Sequence, residues 1–234
     1  MFDLDGTLSA TNDVDTSCFV QAVQAELGFS PDPDWSAYRH CTDEGIATEL
    51  LAGHLGSRPT RSRVHELKHR FVKLLHLASR DPRLFAPVPG APQLLRTLSE
   101  AGWVTCIATG AWRASAELKL RAAGLPAELP LFCSDQLASR EAIVSQAIAH
   151  GRAISPGPVH HVVSVGDGVW DVATARNLRL PFVGVARGSR ADRLRSVGAS
   201  VVVPDFSDLP ATLHHLETAA VPAAPGCSVS GGSV

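Results

Sequence analysis

The second half of the chain alternates short apolar runs with stretches whose apolar residues recur at helical spacing. Continuous runs rich in Val, Ile and Phe are typical of parallel strands buried on both faces, and repeated strand–helix units favour a parallel sheet covered by helices. The predicted strands span residues 103–108, 129–133, 161–165, 181–185 and 199–203, and the predicted helices between them span residues 111–123, 139–149, 171–177 and 190–197.

The first third of the chain has a different pattern, because its apolar residues follow the period of an α-helix in successive blocks. This predicts a small all-helical domain inserted into an α/β protein with a parallel sheet. The uncharged C-terminal residues predict a disordered tail. The expected helices span residues 14–27, 43–55 and 61–78; the expected domains are residues 13–86 (helical), residues 1–12 with 87–218 (sheet) and residues 219–234 (tail).

Composition narrows the class of protein. Lys and Arg (21) nearly balance Asp and Glu (23), for a net charge of −2 without a basic block, so neither nucleic acid nor an anionic membrane is an expected partner. No apolar run is long enough to cross a bilayer, and the start of the chain does not resemble a secretory signal. The five cysteines show no CxxC spacing, so we expect a reducing cytoplasm rather than disulfides or a zinc site.

Two pairs of acids follow predicted strands. Asp3 and Asp5 lie in the string FDLDGTL, and two carboxylates on one face of an extended chain repel unless a cation or a proton separates them. This indicates a divalent cation or an acid–base pair, although a bare DxD is also compatible with a solvated turn. Asp167 and Asp171 lie in GDGVWD, where Asp171 could equally complement the start of a helix. A third strand ends in Thr109 and Gly110, whose hydroxyl and backbone N–H groups suit a phosphate oxygen.

Taken in order, these strings resemble the motifs of the haloacid dehalogenase-like hydrolase superfamily. The resemblance covers about residues 1–206 and is to the phosphatase type with a helical cap after the first motif, as in phosphoglycolate phosphatases. It implies a Rossmann-like parallel sheet core with the helical insert as cap. The family motifs are matched by Asp3-Leu4-Asp5-Gly6-Thr7, by Thr109 and by Gly166-Asp167-Gly168-Val169-Trp170-Asp171.

The resemblance implies a role for each matched residue. Asp3 would attack phosphorus to form an aspartyl-phosphate, and Asp5 would protonate the leaving alcohol and then deprotonate water. Thr109 would bind a phosphoryl oxygen. Mg²⁺ would be held by Asp3, the main-chain carbonyl of Asp5 and Asp167, with Asp171 acting directly or through water.

The family's third motif usually contains a lysine, and this chain departs from it. No Lys lies between Arg121 and Asp171, and Lys119 is expected two helical turns beyond Thr109, too far to serve. Arg140, at the start of a predicted helix, is the best replacement because a guanidinium can clamp phosphate with two hydrogen bonds. The alternative is a surface arginine near a helix start.

The first strand is also unusual, since only Met1 and Phe2 precede the nucleophile position where the family has several apolar residues. Either the protein begins upstream of this Met, or a normally central strand is short and loses hydrogen bonds to its neighbours.

In this superfamily the cap selects the substrate. The polar cluster around the only Tyr makes Arg39, His40, Thr42 and Asp43 the candidate contacts, with the alternative that Thr42 or Asp43 only caps the next helix.

The expected function is Mg²⁺-dependent hydrolysis of a small phosphorylated metabolite by a monomer or homodimer. A phosphomutase and a phospho-ligand-binding module that has lost turnover remain open. A dehalogenase is disfavoured, because that chemistry needs neither a metal nor the second acid, Asp5.

Overall fold

The computed structural model describes residues 1–135 and 137–224, and it confirms the predicted α/β class. The helices are α1 (Asn12–Leu27), α2 (Asp43–Leu55), α3 (Arg61–Ala78), α4 (Ala91–Glu100), α5 (Arg113–Ala122), α6 (Arg140–Ile154), α7 (Val169–Asn177), α8 (Gly188–Ser196) and α9 (Leu209–Thr218), with short 3₁₀ helices at Trp35–Ala37 and Pro82–Phe85; the strands are β1 (Ile107–Ala108), β2 (Leu131–Phe132), β3 (Ser164–Gly166), β4 (Phe182–Val185) and β5 (Val202–Val203).

All strand pairs that the structure describes are parallel. β1 pairs with β2, and β3, β4 and β5 pair in that order. Phe2 bridges Ile107 of β1 and Val165 of β3, which places the start of the chain between the two groups of strands. The order across the sheet is therefore β2, β1, residues 1–3, β3, β4, β5, with the carboxyl ends of all strands at one edge.

The short first segment keeps its central place through backbone hydrogen bonds on both sides. The Phe2 N–H donates to the carbonyl of Cys106, and the Asp3 N–H donates to that of Val165, at 3.0 and 2.9 Å. The Ala108 and Val165 N–H groups donate in turn to the carbonyls of Phe2 and Met1, at 2.8 and 2.9 Å. Four hydrogen bonds over three residues thus hold Asp3 at the carboxyl edge of the sheet.

Side chains alternate between the two faces of the sheet, as the pleat requires. Val183 belongs to a buried cluster with leucines of α4, α5 and α9, whereas its neighbour Phe182 belongs to a second cluster with apolar residues of α6, α7 and α8. Both faces are therefore covered by helices, which explains the continuous apolar runs in the sequence.

Helices α1, α2 and α3, called the cap from here on, share a third apolar cluster. Phe19 of α1 and Phe71 of α3 meet edge to face with their ring centres 5.3 Å apart. Trp112, which follows β1 in the core, packs against both rings and is fully buried, with its ring centre 6.1 Å from that of Phe19 and 6.0 Å from that of Phe71. One aromatic side chain of the core thus docks the cap over the carboxyl edge of the sheet.

Three expectations about the sheet domain and the tail need correction. Helices α4 and α9 are absent from the pattern-based prediction, and the strands are shorter than their apolar runs. The tail does not begin at residue 219, because Ala219 is buried and Ala220 accepts a hydrogen bond from the Phe182 N–H at 3.0 Å. Ala223 also bonds to Gly198 through its N–H. Small uncharged residues can pack closely against a sheet, so their composition alone wrongly predicted that residues 219–224 belong to a disordered tail. The rest of the predicted tail, residues 225–234, lies outside the described part of the chain.

None of the helices in the described residues combines the length and apolar character needed to span a lipid bilayer.

Candidate active site

A tight turn after the first segment positions two carboxylates. Gly6 has a φ of 74°, and a Cβ there would lie 2.1 Å from Asp167 Oδ2, so both the turn and the close approach require glycine. Asp3 is buried at the end of the segment, and Asp5 lies in the turn. Both line one cavity between core and cap.

The turn between β3 and α7 brings two more acids to the same edge. One carboxylate oxygen each of Asp3, Asp167 and Asp171 lies within 4.8 Å of the others, and all three residues are buried. Asp171 also accepts a hydrogen bond from the Gly168 N–H at 3.0 Å, so it supports the start of α7 while it contributes to the cluster. The two acid pairs of the sequence therefore meet at this edge, and three of their four carboxylates form one cluster.

Arg140 faces this acid cluster from the first residue of α6. Its side chain is about nine-tenths buried, and its Nη2 donates to Asp3 Oδ1 at 3.0 Å and to Asp171 Oδ1 at 2.5 Å. Nη1 donates to the backbone carbonyl of Cys41 in the cap at 3.3 Å. The alternative of a surface arginine is therefore wrong, because the guanidinium is buried against Asp3 and Asp171.

The expectation that Lys119 is too far from the site is also wrong. Its Nζ donates to Asp5 Oδ2 at 2.7 Å, and Thr11 Oγ1 donates to Asp5 Oδ1 at 2.5 Å. The prediction estimated the distance of Lys119 from the site by the rise along the helix axis after Thr109, which ignores the direction of the helix and the length of the side chain. Helix α5 runs back beside the cap, so the long Lys119 side chain reaches the turn that carries Asp5.

Lys119 links the core to the cap. It is fully buried and pairs with Asp15 of α1 as well as with Asp5. Burial lowers the pKa of Lys119, but Asp15, Asp5 and Asp43 outweigh that effect and raise it overall. Burial raises the pKa of Asp15 to about 6, against the opposing effect of the lysine. Burial and the nearby Asp15 raise the pKa of Asp43 to about 8. Lys119 is thus the cation that stabilises the charged forms of three neighbouring acids, Asp5, Asp15 and Asp43.

Replacing Lys119 by Met should lower the free energy of unfolding by about 3 kcal/mol at pH 7, because it leaves buried carboxylates without their cation. The loss should shrink as the pH falls toward 5, since the pKa of Asp15 is raised to about 6 and its carboxylate becomes neutral as it binds a proton in this range. Urea denaturation at both pH values measures the effect. Lys73→Met, at an exposed position of α3, is the matched control, and equal stability of the two variants would contradict this prediction.

The cavity has a volume of about 540 Å³. Thr109 is buried beside it, and its hydroxyl accepts a hydrogen bond from the Ala111 N–H at 3.2 Å. A Cβ on Gly110 would lie 2.6 Å from Arg140 Nη1 and 2.8 Å from the carbonyl of Cys41, so glycine allows core and cap to meet here. The second motif therefore lines the same cavity as the acids of the first.

The four candidate substrate residues of the cap separate into two groups. Thr42 and Asp43 line the cavity, whereas Arg39 and His40 line a smaller pocket outside it. Thr42 Oγ1 accepts the Gly45 N–H at 3.1 Å and so caps α2, the alternative raised for it. Its hydroxyl also donates to the core carbonyl of residue 138 at 2.8 Å, and Asp43 accepts the Trp112 N–H at 2.9 Å. Both residues thus fasten the cap to the core as well as facing the cavity.

The chain is similar to known proteins in sequence and in structure. A family model described as haloacid dehalogenase-like hydrolase matches residues 1–176. The chain belongs to this family. The resemblance inferred from the motifs is therefore confirmed.

Relatives of this haloacid dehalogenase-like hydrolase match along most of its length. A phosphoglycolate phosphatase from Agrobacterium fabrum is 27% identical over 213 residues, which are 89% of each chain. A hydrolase from Pseudomonas syringae has a similar structure, with a TM-score of 0.70 and 22% identity over 94% of this chain and 98% of that one. CbbY from Rhodobacter sphaeroides, solved with phosphate, has a TM-score of 0.65 and 21% identity over 89% and 94%. The predicted class, a hydrolase of the phosphatase type, agrees with these relatives.

The acid cluster of this haloacid dehalogenase-like hydrolase fits a divalent cation. Its three carboxylates offer hard oxygen donors that lie within 4.8 Å of one another. Burial raises the pKa of Asp3 well above its usual range, and the neighbouring acids add to this despite Arg140. Burial and the Asp171 carboxylate raise the pKa of Asp167 to about 7. A cation would relieve this repulsion. The Asp5 carboxylate lies outside the cluster, which leaves its main-chain carbonyl as the atom the resemblance implies.

Sequence reasoning missed several residues around these acids. Asn12 Nδ2 donates to Asp167 Oδ2 at 2.8 Å, and Arg190 pairs with the same carboxylate. Lys119 was missed as the partner of both Asp5 and Asp15. One signal was available for Lys119, because it lies four residues after the buried Ser115 and so on the buried face of α5. The contacts of Asn12 and Arg190 join segments far apart in the chain, and no local pattern indicates them.

Proposed function

We propose that the protein is a Mg²⁺-dependent hydrolase of small phosphomonoesters that works through an aspartyl-phosphate on Asp3. The observation that carries the proposal is the placement of Asp3 in a buried acid cluster, against Arg140 and in the same cavity as Thr109 and Gly110. A nucleophile, cationic and neutral phosphate ligands and a second acid, Asp5, thus border one space. The family and the name of the Agrobacterium relative support the reaction type.

Asp3 would attack phosphorus while the bond to the leaving alcohol breaks. The electron pair of that bond goes to the alcohol oxygen, which takes a proton from Asp5. The aspartyl-phosphate is then hydrolysed by a water molecule that gives its proton back to Asp5. This splits one displacement of phosphate into two, and the second step restores both carboxyl groups.

Asp5 is held in place for this proton transfer by two donors. Thr11 and Lys119 bond to its two carboxylate oxygens and so fix the direction of the side chain. Because Thr11 precedes the first cap helix and Lys119 pairs with Asp15 of that helix, the closed cap and the orientation of Asp5 depend on each other.

Arg140, Thr109 and the backbone N–H groups near Gly110 would bind the oxygens of the transferring phosphoryl group. Phosphoryl transfer depends mainly on positioning and on electrostatic stabilisation of these oxygens. Asp3, Asp167 and Asp171, with the Asp5 carbonyl, would hold Mg²⁺, which when bound offsets the negative charge of carboxylates and phosphate.

Phosphate release from a panel of phosphorylated metabolites and p-nitrophenyl phosphate, with Mg²⁺ or with EDTA, tests this proposal. We expect release from several esters with Mg²⁺ and at least about a hundredfold less in EDTA, because the metal offsets several kcal/mol of charge repulsion. Release that is equal in EDTA would overturn the metal requirement. Folded protein that releases no phosphate but transfers it within a sugar phosphate would indicate a mutase instead.

A further inference from the structure

The part of the cavity that faces the leaving group carries a distinctive charge. The core contributes the phosphate-binding end, and the cap contributes the opposite wall. Three carboxyl residues of the cap, Asp13, Asp15 and Asp43, line this wall, together with hydroxyl and aromatic residues such as Thr16 and Trp35. No Lys, Arg or His of the cap lines it within residues 1–135 and 137–224, which contain every such residue of the chain.

The cations of the cap lie elsewhere. Arg39 lines the smaller pocket, which adjoins the cavity at Cys41, Arg140 and Trp170 but is not lined by the acids of the wall. Lys68 pairs with Asp135 of the core, and Arg70 pairs with Glu26 on the outside of the cap. The cap therefore offers no cation to an anionic group inside the cavity as the structure has it.

Among the described residues, the cations that line the cavity are Arg140 and Arg190, and both contact acids of the core cluster. Arg140 donates to Asp3 and Asp171, and Arg190 pairs with Asp167. Lys119 is fully buried, and its charge is matched by Asp5 and Asp15. Of the three acids of the wall, Asp15 is matched by Lys119, and burial raises the pKa of Asp43 to about 8. A second anion on the substrate would thus face the carboxylate of Asp13 rather than a cation of the cap, and like charges in a partly enclosed site repel.

We propose that the substrate is a phosphomonoester whose leaving group carries no negative charge, such as a polyol or an amino alcohol. This inference rests on the proposed phosphatase function. Asp13 is exposed at the cavity and forms no ion pair with any described residue, so it can accept hydrogen bonds from a hydroxyl or an ammonium group. The hydroxyl of Thr16 and the indole of Trp35 supply a further polar contact and an apolar surface.

Three esters with leaving groups of the same length test the proposal: 2-hydroxyethyl phosphate, ethanolamine phosphate and 2-phosphoglycolate. They end in a hydroxyl, an ammonium and a carboxylate group. We expect kcat/KM for the first two to exceed that for 2-phosphoglycolate by at least about tenfold at pH 7.5, because charge complementarity sets discrimination among ligands of equal size. An equal or larger value for 2-phosphoglycolate would overturn the proposal.

Charge reversal at the cap wall provides the second arm. Asp13→Lys should reduce the preference for the uncharged ester over 2-phosphoglycolate by at least about fivefold, because it places a cation at the wall. Glu100→Lys makes the same charge change at an exposed position at the end of α4 and should leave the preference unchanged. If Asp13→Lys leaves the preference unchanged, as Glu100→Lys should, the charge of the wall does not select the substrate and the proposal fails.

The same experiment separates this proposal from the proposed function. Hydrolysis of p-nitrophenyl phosphate together with a preference for 2-phosphoglycolate would refute only the leaving-group proposal. Folded protein that hydrolyses none of the four esters with Mg²⁺ would refute the phosphatase function, and this inference with it. If a preference for 2-phosphoglycolate disappears in Arg39→Ala, that arginine reaches the cavity in solution, which would also overturn the proposal.

Discussion

Asp3→Asn should lower kcat for phosphate release by at least about 10⁴-fold, because an amide cannot form the acyl-phosphate that a carboxylate forms. The fold should not suffer, since Asn keeps the shape of the side chain and an oxygen that can accept from Arg140. Burial raises the pKa of Asp3, so folding disfavours the charged form of its carboxyl group. Removing that charge should therefore leave the Tm in EDTA equal to or above that of the wild type.

Two measurements distinguish loss of the nucleophile from general damage. Wild-type protein quenched in acid during turnover of a phosphorus-labelled ester should carry label, and Asp3→Asn should carry none. Glu100→Gln changes the net charge by the same amount at an exposed position and should keep full activity. Turnover within tenfold of wild type in Asp3→Asn would show that another residue attacks phosphorus.

Arg140→Ala should lower kcat/KM by about 10³-fold, the effect typical of removing an arginine that stabilises a transferring phosphoryl group. Its guanidinium is buried between Asp3 and Asp171, so the alanine variant leaves the acids facing each other and an incoming phosphate unopposed. Arg140→Lys should recover about tenfold, because an ammonium restores the charge without the planar pair of donors.

Adding free guanidinium ion tests whether Arg140 acts on the phosphate, because a purely structural role of Arg140 predicts no increase in the rate of the alanine variant. If Arg140 acts on the phosphate, millimolar guanidinium should raise the rate of Arg140→Ala and leave Arg140→Lys unaffected. Steady-state kinetics with and without the ion make the comparison, with circular dichroism to establish that both variants fold. Wild-type kinetics in Arg140→Ala would remove the argument that it replaces the lysine of the third motif.

The elements best predicted from sequence are those with local signals. Helices α2 and α3 have the predicted bounds, since Thr42 and Thr60 cap their first turns and a glycine in left-handed conformation ends α2. The strands were placed correctly but drawn too long, because an apolar run continues beyond the few residues that pair. Helices α4 and α9 were missed.

The residues of the candidate site also differ in whether a local sequence signal indicated them. The sequence was sufficient to place Asp3, Asp167 and Thr109 at the carboxyl ends of strands, and parallel strands bring those ends to one edge. It also led to Arg140, by the absence of a nearby lysine. The role of Lys119 was misjudged, because its distance from Asp5 depends on how α5 packs beside the cap and not on its position along the chain.

By itself, the sequence determined the α/β class and the helical insert, because these follow from periodicity, and its two motif strings contain the acids that cluster at the sheet edge. The tertiary structure decided which cation each acid meets, that residues 219–224 pack against the core, and that the cap presents acids instead of Arg39 to the cavity. These features depend on contacts between segments far apart in the chain, and side-chain charge acts over distances set by packing rather than by sequence separation.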